Sequence, residues 1–355
     1  MDSLTQACLG GALGGAVLGR RLGRRAVLLG AAAATLPDLD SFIDFGSAVA
    51  DYTFHRSFSH SLLTLTALAA LLTLLCRYLP RARDIPVRQW WWFWWLTLFT
   101  HPLLDAFTTY GTQLLWPLSP PPTAWSTLFI IDPLFTLPLL IAVIVMLVRN
   151  APGRAPAVGL GLAGLYLAFS IMAKAAVIER VTPELVERGL DDRAVMVQPM
   201  PLTTFLWRVT VIDDDRQLEA LVSLFDGDRP LRFDHFRRPM TDTDQANELW
   251  SGQRLGWFSG PFRRIQAQED AMVVTDLRMG LPGGYAFAFA IAERDDSGAW
   301  QAIDSREVAT GRAGLSSLPL LFERIVSPDA LCPADFGDRA LLQSDTECSA
   351  PPTQG

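Results

Sequence analysis

The sequence predicts a membrane α-helical bundle of about six apolar helices, the first two short, followed by a small β-rich extracytoplasmic domain. Three observations carry this reading. Half of the 355 residues are apolar, and the longest apolar runs all lie before residue 178. Charge divides at the same place: residues 1–176 hold 12 Lys/Arg and 8 Asp/Glu, a net of +4, whereas 177–355 hold 18 and 29, a net of −11. Ionisable groups also abut or interrupt the apolar runs in three short motifs, where a charge is costly unless it is paired, metal-bound or functional. The domains expected are a membrane domain over 1–178, a linker over 179–199, a β-rich soluble domain over 200–326 and an irregular tail over 327–355.

The apolar segments are 4–19, 26–37, 60–76, 89–105, 131–148 and 157–176. The last four approach the ~20 residues that cross a bilayer. The first two are shorter and rich in Gly and Ala, which suits close helix packing; the alternative is a re-entrant or interfacial hairpin. The chain does not open like a cleavable signal, because Asp2 stands where a basic residue is expected. Arginines 20, 21, 24 and 25, then 77, 81, 83 and 88, then 149 and 154, occupy alternate loops. Those loops should be cytoplasmic, which puts the others and the C-terminal domain outside. The run from Trp90 to Trp95 reads as an aromatic belt at the inner interface.

The motifs are Leu36-Pro37-Asp38-Leu39-Asp40, His55-Arg56-Ser57-Phe58-Ser59-His60-Ser61 and His101-Pro102-Leu103-Leu104-Asp105. They hold three of the four histidines. At ~1.5 Å of rise per residue, Asp38, His60, His101, Asp105 and Asp132 each fall about 20–26 Å from the arginine loops, in one layer near the outer boundary. His101 and Asp105 are four apart and share a helix face. Pro37 should end or kink its helix, freeing Asp38 and Asp40 to turn inward. Imidazole and carboxylate without thiolate suit Zn²⁺, Mn²⁺ or Fe²⁺. Asp38, Asp40, His55, His60, His101 and Asp105 are the candidate ligands, enough for one ion or two. Asp40 or Asp105, if not ligating, could act as general base, and Arg56 could hold a phosphate. Each piece also has a plain reading: an Asx turn at Asp38, a paired His101 and Asp105, a serine cap before segment three, an Arg56 ion pair with Asp51 or Asp44. Asp132 before Pro133 is a standard helix start.

These motifs resemble those of the YdjM-type family of bacterial inner-membrane proteins, commonly described as membrane-bound, metal-dependent hydrolases. The matching signatures are Met1-Asp2-Ser3-Leu4-Thr5-Gln6, the Gly-Arg-Arg loop at 19–25, the three motifs above and Thr108-Thr109-Tyr110-Gly111, spread over roughly residues 1–180. The resemblance implies a multi-pass inner-membrane protein and a metal-dependent hydrolase, with Asp38, Asp40, His55, His60, His101 and Asp105 in the site.

Beyond residue 200 the pattern turns to strands. Thr204–Ile212 and Leu218–Phe225 read as a hairpin through Asp213-Asp214-Asp215-Arg216, and Met272–Leu277 and Tyr285–Ala292 as further strands of a small antiparallel sheet. Cys332 and Cys348 can form a disulfide if the domain is outside, or stay free thiols. Cys8 and Cys76 read as packing residues and His235 as a surface residue. No basic stripe or nucleic-acid motif is present, so a nucleic-acid partner is not expected. The expected partners are the lipid bilayer and an amphiphilic small molecule or lipid substrate. A non-enzymatic protein with a structural metal is the alternative. A metal transporter fits poorly, because the inner halves of segments three to six are apolar.

Overall fold

The computed structural model describes residues 1–150, 153–311, 318–337 and 339–348. The chain forms two compact units. One comprises Met1–Asp44, Phe54–Ile171 and Pro201–Thr203; the other comprises Phe45–Thr53, Met172–Met200 and the residues from Thr204 onward.

The first unit begins with α1, Ser3–Leu22, capped by the Asp2 side chain, which accepts from the Thr5 N–H. Gly23, at φ +56°, turns the chain directly into α2, Arg24–Ala34, a backbone conformation for which glycine has no steric cost. The two helices touch backbone to backbone. A Cβ added at Gly10 would meet the Gly30 carbonyl oxygen, one at Gly30 the Gly10 carbonyl, and one at Gly14 the Ala26 carbonyl. Proline 37 starts a 3₁₀ turn, Pro37–Phe42, and a second 3₁₀ turn spans Phe58–His60. Between them lies α3, Ala48–Phe54. Next come α4, Leu62–Cys76, capped by Ser61, and α5, Val87–Ala106. Helix α6, Pro133–Arg149, is capped by Asp132, and α7 runs from Ala155 to Glu187. Leu18, Phe93 and Leu98 are fully buried and Trp90 nearly so. At ~1.5–3 kcal/mol for each large apolar side chain removed from water, these residues hold the unit around α5.

The expected bundle of six apolar helices is corrected here. The apolar segments are helical, but among the described residues only α7 is by itself long and apolar enough to cross a membrane. The stretch Ala48–His60 with α4 passes only as a pair bent by 49°. Helices α2 and α4 have 11 and 15 residues, about 17 and 22 Å at ~1.5 Å per residue, short of a ~30 Å hydrocarbon core. Helix α6 is 17 residues long. Helix α5 has the length, but Arg88, Gln89, His101, Pro102 and Asp105 interrupt its apolar character. In the tryptophan run Trp90 is buried, and its indole N–H donates to the Ala82 carbonyl at 3.0 Å.

The second unit holds two four-stranded antiparallel sheets where one small sheet was expected. The first joins β1 (Ala194–Pro199), β2 (Leu206–Asp213), β3 (Arg216–Ser223) and β4 (Asp234–Arg237) in that order; the second joins β5 (Arg263–Gln268), β6 (Ala271–Leu281), β7 (Gly284–Arg294) and β8 (Trp300–Glu307). The β2–β3 hairpin turns through Asp214 and Asp215. Helices α8 (Thr243–Glu248), α9 (Trp250–Ser259) and α10 (Leu318–Arg324) complete the unit. Residues 179–199, expected as linker, form the end of α7 and β1. Cys332 and Cys348 are bridged, and Cys8 and Cys76 are free and buried. His235 is buried at 8 % exposure with Asp345 on its Nδ1, not at the surface. Much of the tail after 327 is irregular or 3₁₀, and residues 338 and 349–355 lie outside the described residues.

Residues 45–53 belong to this second unit although they precede the His55–Ser61 motif. The Tyr52 hydroxyl donates to Asp276 at 2.9 Å, and its ring lies 4.4 Å from Phe287 and 4.9 Å from Phe258. The Val49 N–H donates to the Ser305 hydroxyl at 2.9 Å. The chain leading into the motif is thus fixed by the sheets.

The glycine contact between α1 and α2 has a measurable consequence. Gly30→Leu should force the helices apart and cost about 1–3 kcal/mol, the usual penalty for overpacking. A thermal melt of the detergent-purified protein should show a lowered midpoint, and an unchanged midpoint would exclude the close contact.

Candidate metal centre

Three local structures deliver the ionisable groups. A 3₁₀ turn advances about 120° per residue, so Asp38 and Asp40, two apart, point in different directions. Asp38 faces the two imidazoles: its Oδ1 lies 3.4 Å from His60 Nε2 and 3.3 Å from His101 Nε2. His60 closes the second 3₁₀ turn. His101 and Asp105 sit one turn apart on α5, and Asp105 Oδ2 lies 3.2 Å from His60 Nε2 and 3.5 Å from His101 Nε2. The two Nε2 atoms are 3.2 Å apart. One donor atom from each of the four residues falls in a group spanning no more than 4.8 Å. His60, His101 and Asp105 are fully buried, while the Asp38 side chain keeps 23 % exposure and is the open side.

The surrounding hydrogen bonds decide where the protons are. His101 Nδ1 lies 2.6 Å from the Ala34 carbonyl, an acceptor only, so Nδ1 carries the proton and Nε2 presents a lone pair. The Ser59 hydroxyl donates to Asp40 Oδ2 at 2.5 Å and lies 2.9 Å from His60 Nδ1. That Nδ1 therefore donates, and its Nε2 also presents a lone pair. Among the described residues, the buried Asp105 Oδ2 has no hydrogen-bond partner. In those tautomers two nitrogen lone pairs and two carboxylate oxygens converge, an arrangement that a divalent cation would stabilise. Tetrahedral Zn–N and Zn–O bonds of ~2.0–2.1 Å place ligand atoms ~3.3 Å apart, the range of the separations seen here. The residues fit a divalent ion.

Asp105 is held by its other oxygen. Oδ1 accepts from Gln6 Nε2 at 3.1 Å, from the Met1 amine, and pairs with Arg56 at 3.4 Å. Gln6 also donates to the His101 carbonyl at 3.1 Å. Arg56 is buried, reaches Thr108 Oγ1 at 3.4 Å and lies 4.9 Å over the Tyr110 ring. Its φ of +61° is left-handed, a strain of ~1–3 kcal/mol for a non-glycine residue. It points the backbone N–H at Asp40 Oδ2, 3.0 Å away. Arg56 thus pairs with Asp105, where Asp51 or Asp44 was the plain alternative.

Asp40 and His55 are not in the group of four. Asp40 stands behind His60, at 3.6 Å from its Nδ1, and its Oδ1 contacts His55 Nδ1 at 3.0 Å. Burial pushes the Asp40 carboxyl up, but its contacts with His55, His60 and Ser59 outweigh it, and it lies below the usual carboxylate range. Asp132 is elsewhere, accepting from the Leu134 and Phe135 N–H groups and from the Tyr166 hydroxyl. Gln6, Ser59 and the Ala34 carbonyl were not expected in the site; a lone glutamine in a Gly/Ala helix was the one available signal. A second cluster, Asp234 with Cys332 and Cys348, offers no thiolate because the sulfurs are bonded to each other.

The family model of the YdjM inner membrane protein family matches residues 1–177. The chain belongs to that family. It is accordingly an inner membrane protein, and every residue of the candidate site lies within the matched region, while both sheets lie beyond it. No curated protein and no solved structure matches the chain.

Two substitutions separate ligands from their supports. His101→Ala should abolish stoichiometric metal in the purified protein. Asp40→Asn should retain the ion but weaken its affinity about 10–100-fold, the usual cost of losing the group that orients a ligating histidine. Elemental analysis with chelator competition reads both, and equal metal content in wild type and His101→Ala would refute the site.

Proposed function

We propose that the protein is a metal-dependent hydrolase acting at the outer face of the inner membrane on an amphiphilic or lipid phosphoester. The observation that carries this is the buried Asp105 Oδ2, without a hydrogen-bond partner among the described residues, facing two imidazoles beside the partly exposed Asp38. Asp38, His60, His101 and Asp105 would hold one divalent ion, with zinc the best match to two nitrogens and two oxygens and manganese or iron next. When bound, the ion acidifies water and polarises a phosphoryl or acyl oxygen.

The remaining work falls to neighbouring side chains. His55 keeps 25 % side-chain exposure, and Asp40 fixes its Nδ1. Among the described residues its Nε2 has no hydrogen-bond partner, so it is free to take and return a proton at the open side of the site. Asp40 then orients two histidines rather than accepting the proton itself. Arg56 neutralises and holds Asp105, and its buried Nε has no hydrogen-bond partner among the described residues, which leaves an N–H to offer a phosphoryl oxygen. Placement of the C-terminal unit outside is supported by the basic loop at 149–154 just before α7, the side expected to be cytoplasmic, and by the Cys332–Cys348 bridge, which suits an oxidising compartment. The C-terminal unit would then be extracytoplasmic.

Full burial of three of the four ligands also favours a second reading, in which the ion braces the fold and no substrate turns over. Assay of the purified protein on a panel of lipid phosphomonoesters and diesters decides between them. Hydrolysis should stop with chelator and return with added ion. His55→Ala should keep its metal yet lose about 10²–10⁴-fold in rate. Chelator-insensitive hydrolysis would end the metal mechanism, and bound metal without turnover on any ester would establish the bracing role.

A further inference from the structure

A cleft of about 200 Å³ in the second unit is lined by Arg180, Arg229, Arg232 and Arg324, with Asp226 and Asp329. Four arginines facing two aspartates stand out in a half-chain that carries a net −11. The arginines differ in freedom. Arg324 is buried and consumed by Asp226, with contacts of 2.8 and 3.0 Å. Arg232 pairs with the exposed Asp329 at 2.7 Å. Arg180 donates to the Ser223 and Arg229 carbonyls at 3.3 and 2.8 Å. Arg229 is exposed, and its side chain has no partner among the described residues. The cleft is therefore a basic wall in which, among the described residues, one guanidinium is unclaimed.

Its position relative to the bilayer follows from Arg180. Helix α7 is the one helix among the described residues able to cross a membrane alone, and its apolar run ends at Ile178. Arg180 lies two residues further, about 3 Å at ~1.5 Å per residue, at the level where lipid phosphates begin. Its two hydrogen bonds hold Ser223 and Arg229 at that same level. The chain beside the cleft is also unusually apolar on its outside. Phe225, Phe322 and Val326 are 62, 47 and 72 % exposed. Exposed aromatic and aliphatic side chains beside a basic cleft form the pattern of an interfacial anchor.

We propose that this cleft binds the phosphate of an anionic phospholipid headgroup, with Phe225 and Val326 entering the interfacial layer. The charge-assisted contacts come from Arg229 and Arg232, which match a phosphate by bidentate geometry. The lipid is held here as a ligand and not turned over, so the site stands whether or not the metal centre is catalytic.

The test uses the full chain in uncharged detergent and measures equilibrium binding of short-chain phosphatidylglycerol, short-chain phosphatidylcholine and inorganic phosphate. Phosphatidylglycerol should bind at least tenfold more tightly than phosphatidylcholine. Arg229→Glu with Arg232→Glu should remove that preference, while leaving metal content unchanged as proof of folding. Phe225→Ala should weaken the lipid and leave inorganic phosphate unaffected, and His101→Ala should leave the lipid preference intact. Equal affinity for the two lipids, or a preference that survives the double charge reversal, overturns the proposal. Inorganic phosphate binding as tightly as lipid, with no effect of Phe225→Ala, would assign the cleft to a free anion and overturn it too.

Discussion

The candidate metal centre depends on one electrostatic constraint: ligand-type atoms from Asp38, His60, His101 and Asp105 converge within 4.8 Å of one another, three of the four residues being fully buried. Without a cation this arrangement would be strongly unfavourable, since buried like charges and unpaired acceptors each cost kilocalories per mole. Everything around it acts to keep those atoms inward. The Ala34 carbonyl fixes one imidazole, Ser59 and Asp40 fix the other, and Gln6 and Arg56 hold the outer oxygen of Asp105. The carbonyl at the end of α2 is in turn placed by the glycine contact with α1. Close backbone packing of two glycine-rich helices thus bears on the tautomer of His101.

The four candidate ligands that the structure groups were among the six expected from the sequence, because charge in apolar chain is conspicuous and because the spacing of His101 and Asp105 already puts them on one helix face. The division of labour was not legible. Asp38 and Asp40 differ in role only because the turn after Pro37 is 3₁₀, which sends residues two apart to different sides. The separation of His55 from His60 likewise depends on the left-handed Arg56, and no residue type announces that conformation. Backbone carbonyls such as that of Ala34 carry no sequence mark at all.

The fold was legible as helices and strands but not as spans and sheets. Apolar composition located the helical segments, yet among the described residues length and the polar groups within α5 leave α7 alone as a helix long and apolar enough to cross a membrane by itself. One sheet became two because β5 and β8, Arg263–Gln268 and Trp300–Glu307, are polar edge strands with little alternation. The capture of residues 45–53 by the second unit rests on Tyr52 meeting Asp276, Phe258 and Phe287, a long-range fit that no local pattern encodes. It also ties the chain just before His55 to the sheets, so the family's matched region and the domain beyond it share a structural element.

X-ray absorption at the edge of the bound metal tests the central claim most directly. The account predicts a four-coordinate shell of nitrogen and oxygen near 2.0–2.1 Å, as zinc takes, with outer-shell scattering from two imidazole rings that is lost in His101→Ala. Sulfur in the shell, or an ion surrounded by oxygen alone without imidazole scattering, would contradict it.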